Sequence, residues 1–151
     1  MQRNREDKPL PTEKTKHVMV QTSNIAKFLQ TTDNIVAILS DALYSSSWFV
    51  GYVPNEMKPL REKAEQTGMA TDQWCREDYW AYILEQGGYI CLDDTEEEQT
   101  YQLTLEKMSK GWEMLSEQHP KVTARIIEGD YDFYDVDAVL QYAVFGEWVY
   151  G

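Results

Sequence analysis

Cysteine and histidine are scarce in this sequence of 151 residues. It has two cysteines, Cys75 and Cys91, and two histidines, His17 and His119. The cysteines form no CxxC motif, and their spacings to the histidines match no zinc pattern. We therefore expect two half-buried thiols in a reducing compartment, with no disulfide, no metal and no cofactor.

Long apolar runs are also missing. No stretch reaches the roughly 18 apolar residues that a membrane span requires. The first residues, MQRNREDK, are followed by proline and charged residues instead of the apolar centre of a signal peptide. The sequence therefore predicts a cytoplasmic protein that has no membrane partner.

Motifs of the common enzyme classes are absent as well. We find no GxSxG, P-loop, GxGxxG or HExxH pattern. His17 lies near the N-terminal tail and His119 precedes Pro120, so each is expected at the surface and not as a general base. These observations favour a noncatalytic protein. A small enzyme that uses a pair of carboxylates is the alternative.

Basic residues are outnumbered, with 14 of them against 26 acidic residues and a formal net charge of −12. Residues 1–17 hold five basic and three acidic residues and are predicted to form a flexible, weakly basic tail. Residues 18–151 hold nine basic and 23 acidic residues, a net charge of −14. Such a field repels nucleic acid and attracts cationic partners. Solubility alone is the competing explanation.

Apolar residues at 42% and aromatic residues at 13% are too abundant for a disordered chain, so residues 18–151 should form a single domain. Periods of 3.6 residues and capping residues predict helices, and alternating or β-branched stretches predict strands. The predicted helices are 33–43 with Asp33 as N-cap, a charged helix from Pro59, 73–86 capped by Thr71 or Asp72, 104–118 with Thr104 as cap, and 136–144 with Asp135 as N-cap and Gly146 as C-terminal cap. The predicted strands are 17–21, 48–53, 89–92 and 101–105.

These elements define an α+β fold class. We expect about four helices packed on a small, mainly antiparallel sheet that contains a β-hairpin at residues 89–105. A short apolar stripe at Ile25, Phe28 and Leu29 precedes the first of these helices, and residues 122–127 fit strand and helix equally.

Two acidic segments are the candidate partner-binding residues. The first is the predicted hairpin tip, with Asp93, Asp94, Glu96, Glu97 and Glu98. The second is an acidic aromatic loop before the last helix, with Asp130, Tyr131, Asp132, Tyr134 and Asp135. Counted from Asp130, the loop lacks the glycine and the bidentate glutamate that an EF-hand needs at its sixth and twelfth positions. It is therefore not predicted to bind calcium.

Three stretches within residues 75–151 carry a resemblance to other proteins: GGYICLDDTEE, TYQLTLEKMSKGWEML and DAVLQYAVFGEWVYG. They resemble a group of small acidic uncharacterised proteins of gut bacteria and their mobile elements. The resemblance implies an α+β domain and a mobile-element setting, but no activity and no ligand.

Together these features predict noncatalytic protein binding through an acidic aromatic surface. The sharper hypothesis is an inhibitor that imitates the charge of phosphate on a cationic nucleic-acid-handling protein. A generic soluble adaptor or a domain that binds a small ligand or a metal is the alternative.

Overall fold

The computed structural model describes residues 31–151. These residues form an α+β fold with six α-helices and one antiparallel sheet of three strands. The predicted class is therefore confirmed, although the expected number of four helices is too low. The predicted tail at 1–17, the strand at 17–21 and the apolar stripe at 25–29 lie outside the described residues.

The helices and strands follow one another in a simple order. The helices are α1 Thr32–Ser45, α2 Pro59–Gln66, α3 Arg76–Glu85, α4 Leu105–Gln118, α5 Pro120–Glu128 and α6 Phe133–Phe145. The strands are β1 Phe49–Tyr52, β2 Tyr89–Asp94 and β3 Thr100–Thr104. None of the helices in this part of the chain is long and apolar enough to cross a membrane.

The sheet has the order β1-β2-β3, and both pairs are antiparallel. Phe49 pairs with Asp94 at one end of β1, and Tyr52 pairs with Cys91 at the other. The predicted hairpin is confirmed: β2 and β3 pair from Tyr89 with Thr104 to Asp93 with Thr100. Its strands meet in a tighter turn than predicted, because β2 continues through Asp94.

The core lies between one face of this sheet and the helices α1, α3, α4 and α6. Ile90, Leu92 and Leu103 point from the sheet into this core and are fully buried. They meet helical residues at the predicted spacing, which include Ile35, Ile38, Leu39, Met108, Trp112, Leu115, Val136, Val139 and Leu140. Burial of each such side chain contributes on the order of 1.5 to 3 kcal/mol.

Helices α4 and α6 approach each other closely at Gly111. A Cβ atom built on Gly111 would lie 2.4 Å from the backbone nitrogen of Ala143. Only glycine fits there, so the sequence of α4 fixes the distance between the two helices. This contact positions α6, whose first turn belongs to the candidate site.

Strand β1 differs from its prediction. The sequence WFVGYV suggested a buried strand, but Val50 is 59% exposed and Tyr52 is 41% exposed. Strand β1 is an edge strand that carries Val50 and Tyr52 on its outer face, whereas Phe49 and Gly51 face the core. Alternation of side chains across the sheet explains this pattern.

Helix boundaries also differ where several capping residues compete. Helix α1 begins at Thr32 with Thr31 as N-cap, so Asp33 lies in its first turn. Helix α3 begins at Arg76 with Cys75 as N-cap, because residues 71–73 form a separate 3₁₀ turn. The cap at Thr104 is confirmed, since its hydroxyl accepts a hydrogen bond from the Lys107 N–H at 3.1 Å. The unassigned residues 122–127 belong to α5.

Candidate protein-binding surface

The connection between α5 and α6 is a tight corner. Helix α5 ends at Gly129, which adopts a left-handed conformation with a φ of 78°. The N–H of Asp130 then donates to the carbonyl of Arg125 at 2.9 Å. This is the usual way in which glycine closes a helix, and it turns the chain sharply into α6.

Helix α6 begins at Phe133, whereas the sequence predicted a start at Val136 with Asp135 as N-cap. The predicted N-cap is therefore wrong. Asp132 is the N-cap, and its carboxylate accepts the N–H of Asp135 at 3.1 Å. The carboxylate of Asp135 in turn accepts the N–H of Asp132 at 3.3 Å. The two aspartates therefore form a capping box, in which each satisfies a backbone donor that the helix leaves free.

Asp135 also ties the corner to α5. Its two oxygens accept hydrogen bonds from Nε and Nη2 of Arg125 at 2.9 and 2.6 Å. These hydrogen bonds, together with the charges of Asp135, Asp132 and Asp130, raise the pKa of Arg125. Asp135 is only 3% exposed, so its carboxylate holds the corner together and is not offered to a partner.

Three large apolar side chains are exposed at this corner. Ile127 is 38%, Phe133 is 44% and Tyr134 is 54% exposed. The rings of Phe133 and Tyr134 lie against each other, with their centroids 4.3 Å apart. Exposed apolar side chains that lie close together mark interaction surfaces more often than isolated ones do.

Three acidic residues are neighbours of these apolar residues in the sequence. Glu128, Asp130 and Asp132 are all exposed. The only basic side chain between positions 125 and 135 is Arg125, and its charge is matched by Asp135. We call the set Ile127, Glu128, Asp130, Asp132, Phe133 and Tyr134 the acidic aromatic corner.

Tyr131 belongs to the core and not to this surface. It packs against the core cluster and is partly buried. Desolvation and a hydrogen bond to Asp41 of α1 raise its pKa. Its hydroxyl is therefore engaged within the chain, and it anchors the corner on α1.

The hairpin tip offers fewer free carboxylates than the sequence suggests. Asp94 is 3% exposed, and its Oδ1 accepts the N–H groups of Glu96 and Glu97 at 2.8 and 3.1 Å. Asp93 accepts a hydrogen bond from the hydroxyl of Thr100 at 2.6 Å. Of the five acidic residues predicted here, only Glu96, Glu97 and Glu98 are exposed and form no side-chain hydrogen bond with another described residue. We call these three residues the tip.

The final segment of the chain holds Asp94 in place. The Tyr150 hydroxyl donates to the Asp94 carboxylate, with oxygen distances of 2.9 and 3.1 Å. Burial by itself raises the pKa of Asp94, but the N–H groups of Glu96 and Glu97 and the Tyr150 hydroxyl outweigh it, and the pKa falls below its ordinary value. Desolvation, this hydrogen bond and the charge of Asp94 raise the pKa of Tyr150 to about 12.

A buried glutamine fixes the backbone on which Tyr150 lies. Gln141 is fully buried, and its Oε1 accepts the N–H groups of Val149 and Tyr150 at 2.9 and 2.7 Å. Its Nε2 donates to the carbonyl of Tyr150 at 3.0 Å and to Asp137 at 2.7 Å. Asp137 also accepts from the Trp48 indole N–H at 2.8 Å and from the Ser46 hydroxyl. Asp137 is therefore a structural residue as well.

The corner and the tip are tied to different parts of the fold. Asp135 and Tyr131 bond the corner to α5 and α1, whereas Asp94 and Thr95, which precede the tip, are bonded to Tyr150 and to the backbone of Trp48. No hydrogen bond or ion pair within residues 31–151 joins the two segments. We therefore test the corner and the tip with separate variants.

The thiols and the histidine in the described part of the chain form no reactive cluster. Cys75 is exposed, Cys91 is buried, and both are free thiols. A hydrogen bond to Glu77 raises the pKa of Cys75, and hydrogen bonds from backbone N–H groups offset this only in part. His119 is exposed, and its ring packs against Tyr142 and Trp148. No group of three His, Cys, Asp or Glu side chains in residues 31–151 is arranged to hold a metal ion.

Sequence reasoning did not select three members of the corner, Ile127, Glu128 and Phe133, as site residues. Ile127 belonged to an unassigned segment, and Phe133 was part of the acidic aromatic loop without being chosen. The available signal was the pair of adjacent aromatic residues at 133 and 134, because a helix that buries one stripe cannot bury two neighbours equally.

Comparison with known proteins yields no relative for this chain: no family model, no curated protein and no solved structure matches it significantly. The geometry of the chain itself therefore carries the functional argument.

Proposed function

We propose that this protein is a noncatalytic binding domain that attaches to a cationic protein through the acidic aromatic corner. One observation carries the proposal: Phe133 and Tyr134 are exposed side by side on the first turn of α6, and three exposed acidic residues, Glu128, Asp130 and Asp132, precede them in the chain. Aromatic side chains supply large contact areas at small cost in rotamer freedom, and they are enriched at interfaces.

The corner is also rigid before it binds. The Gly129 turn, the Asp132–Asp135 capping box and the bidentate contact from Arg125 fix its backbone. A surface that is already ordered loses little conformational entropy on binding, so more of the contact energy remains as affinity.

Charge determines the kind of partner. Residues 31–151 contain eight basic and 23 acidic residues, a net charge of −15. This field disfavours direct binding of nucleic acid through the folded body and accelerates encounters with basic proteins. We propose as partner a nucleic-acid-handling protein whose cationic groove is occupied by the corner, as in inhibitors carried by mobile elements.

The test begins with affinity capture from a lysate of the source organism, followed by binding measurements with the purified captured protein. Its affinity should fall steeply between about 50 and 200 mM salt. The chain should also displace a fluorescein-labelled DNA duplex from that partner. Affinity that does not change with salt would indicate an apolar adaptor, and binding without DNA displacement would contradict the charge-mimic proposal.

Two matched variants assign the surface. Asp130→Asn with Asp132→Asn removes two charges from the corner and keeps the N-cap, because asparagine caps helices as well as aspartate does. Glu96→Gln with Glu97→Gln removes two charges from the tip. The corner variant should lose most of the binding and the tip variant little.

A further inference from the structure

The rings of Phe133 and Tyr134 are more exposed than two rings that arginines cover elsewhere in residues 31–151, since Phe133 is 44% and Tyr134 is 54% exposed, whereas Tyr79 is partly buried and Trp80 is buried. The guanidinium carbon of Arg61 lies 5.5 Å from the centroid of the Tyr79 ring. That of Arg76 lies 5.7 Å from the centroid of the Trp80 ring. Arginine therefore already packs on an aromatic face at two places in the described part of the chain.

No arginine or lysine of residues 31–151 covers the ring pair at the corner in this way. Arg125 is near in sequence, but its guanidinium is bonded to both oxygens of Asp135. A cation from outside these residues can therefore reach the two rings. The adjacent carboxylates are available to the same cation: Asp130 is exposed, and Asp132 uses one oxygen for the helix cap.

We infer that the acidic aromatic corner binds an arginine side chain of its partner, with the guanidinium stacked on the Phe133–Tyr134 pair and hydrogen-bonded to Asp130 or Asp132. This inference rests on the proposed function and specifies the partner more narrowly. The ligand class is an arginine-bearing segment of a protein.

Arginine fits this arrangement better than lysine does. The guanidinium group is flat, weakly hydrated and able to stack on an aromatic face while its N–H groups bond to a carboxylate. A lysine ammonium group is compact and strongly hydrated, so it gains mainly from the charge. The corner should therefore distinguish the two cations, whereas a surface of carboxylates alone should not.

The experiment uses two fluorescein-labelled peptides of the same length and charge, one with arginine and one with lysine at each basic position, separated by glycines. Binding to the full chain is followed by fluorescence anisotropy at low salt. We expect the arginine peptide to bind roughly tenfold more tightly, which corresponds to one good stacking contact.

The decisive variant is Phe133→Leu with Tyr134→Leu, which keeps apolar bulk at two exposed positions and removes the rings. The preference for arginine should disappear in this variant, while weak binding of both peptides remains. A matched control, Val50→Ala with Tyr52→Ala, alters the exposed apolar residues of β1 and should keep the preference.

The outcomes separate this inference from the proposed function. Equal binding of both peptides to the wild-type chain overturns the arginine inference but leaves protein binding through charge intact. A preference that survives the leucine variant also overturns it, because the arginine then binds elsewhere. Failure of both peptides to bind at low salt counts against the cationic partner itself.

Discussion

Replacement of Gly111 by alanine tests whether the packing of α4 against α6 positions the corner. The added Cβ would lie 2.4 Å from the backbone nitrogen and 2.7 Å from the Cα of Ala143, where ordinary contact begins at 3.4 Å. These are backbone atoms that cannot rotate away, so the two helices must separate by roughly 1 Å.

The magnitude follows from two opposing effects. Overpacking of this kind costs about 3 kcal/mol when backbone must move, and the better helix propensity of alanine returns about 1 kcal/mol. We expect the free energy of unfolding to fall by about 2 kcal/mol, and Tm to fall by roughly 8 °C in a domain of this size.

Urea unfolding followed by tryptophan fluorescence measures this change, because Trp112 lies in α4 one residue after Gly111. The control is Ser109→Ala, an exposed position in the same helix that should be neutral or slightly stabilising. If Gly111→Ala proves as stable as the wild-type chain, the close approach of α4 and α6 is refuted, and with it our account of how α6 is positioned.

Three further predictions concern individual side chains. Because desolvation, together with the hydrogen bond to Asp94 and its charge, raises the pKa of Tyr150 to about 12, a spectrophotometric titration should show one tyrosine that ionises last, and Tyr150→Phe should remove it. The folded state retains this proton above the ordinary pKa near 10, so wild-type stability should decline between about pH 10 and 12, and less so in Tyr150→Phe. Cys75 should be alkylated at pH 8 more slowly than a free cysteine, since the hydrogen bond to Glu77 raises its pKa and lowers its thiolate fraction, and Glu77→Gln should accelerate the reaction. Asp132→Ala should cost about 1 kcal/mol of stability in urea unfolding, whereas Asp132→Asn should cost almost nothing, because only alanine lacks a side-chain acceptor for the helix cap.

The bodies of the helices could be predicted because burial imposes a period on the sequence. Ile35, Ile38 and Leu39 in α1, and Val136 and Val139 in α6, are buried as their spacing predicts. The hairpin could be predicted for the same reason, from two apolar strands around a polar turn.

Helix starts were less predictable because several residues can serve as a cap. Asp132 and Asp135 are both good N-caps, and sequence alone favours the one next to the apolar stripe. The structure selects Asp132 because Arg125, in the preceding helix, holds Asp135 in the third position of the helix. Phe133 and Tyr134 are exposed and do not belong to the buried apolar stripe. The spacing of apolar residues therefore could not show that the helix begins with them.

The roles of the acidic residues were the least predictable part of the candidate site. Asp94 is buried because Tyr150, 56 positions away, donates to its carboxylate. Tyr131 is partly buried because it packs against the core and bonds to Asp41. Composition counts all carboxylates alike, and only the fold distinguishes those that stabilise it from those that a partner can reach.

The most direct test of the proposed function is the affinity of the purified partner for two variants of equal charge, measured side by side at about 50 mM salt. We predict that Asp130→Asn with Asp132→Asn raises Kd at least tenfold, and that Glu96→Gln with Glu97→Gln raises it less than about twofold. Equal effects of the two variants would show that overall charge determines binding, and a larger effect at the tip would contradict our assignment of the corner.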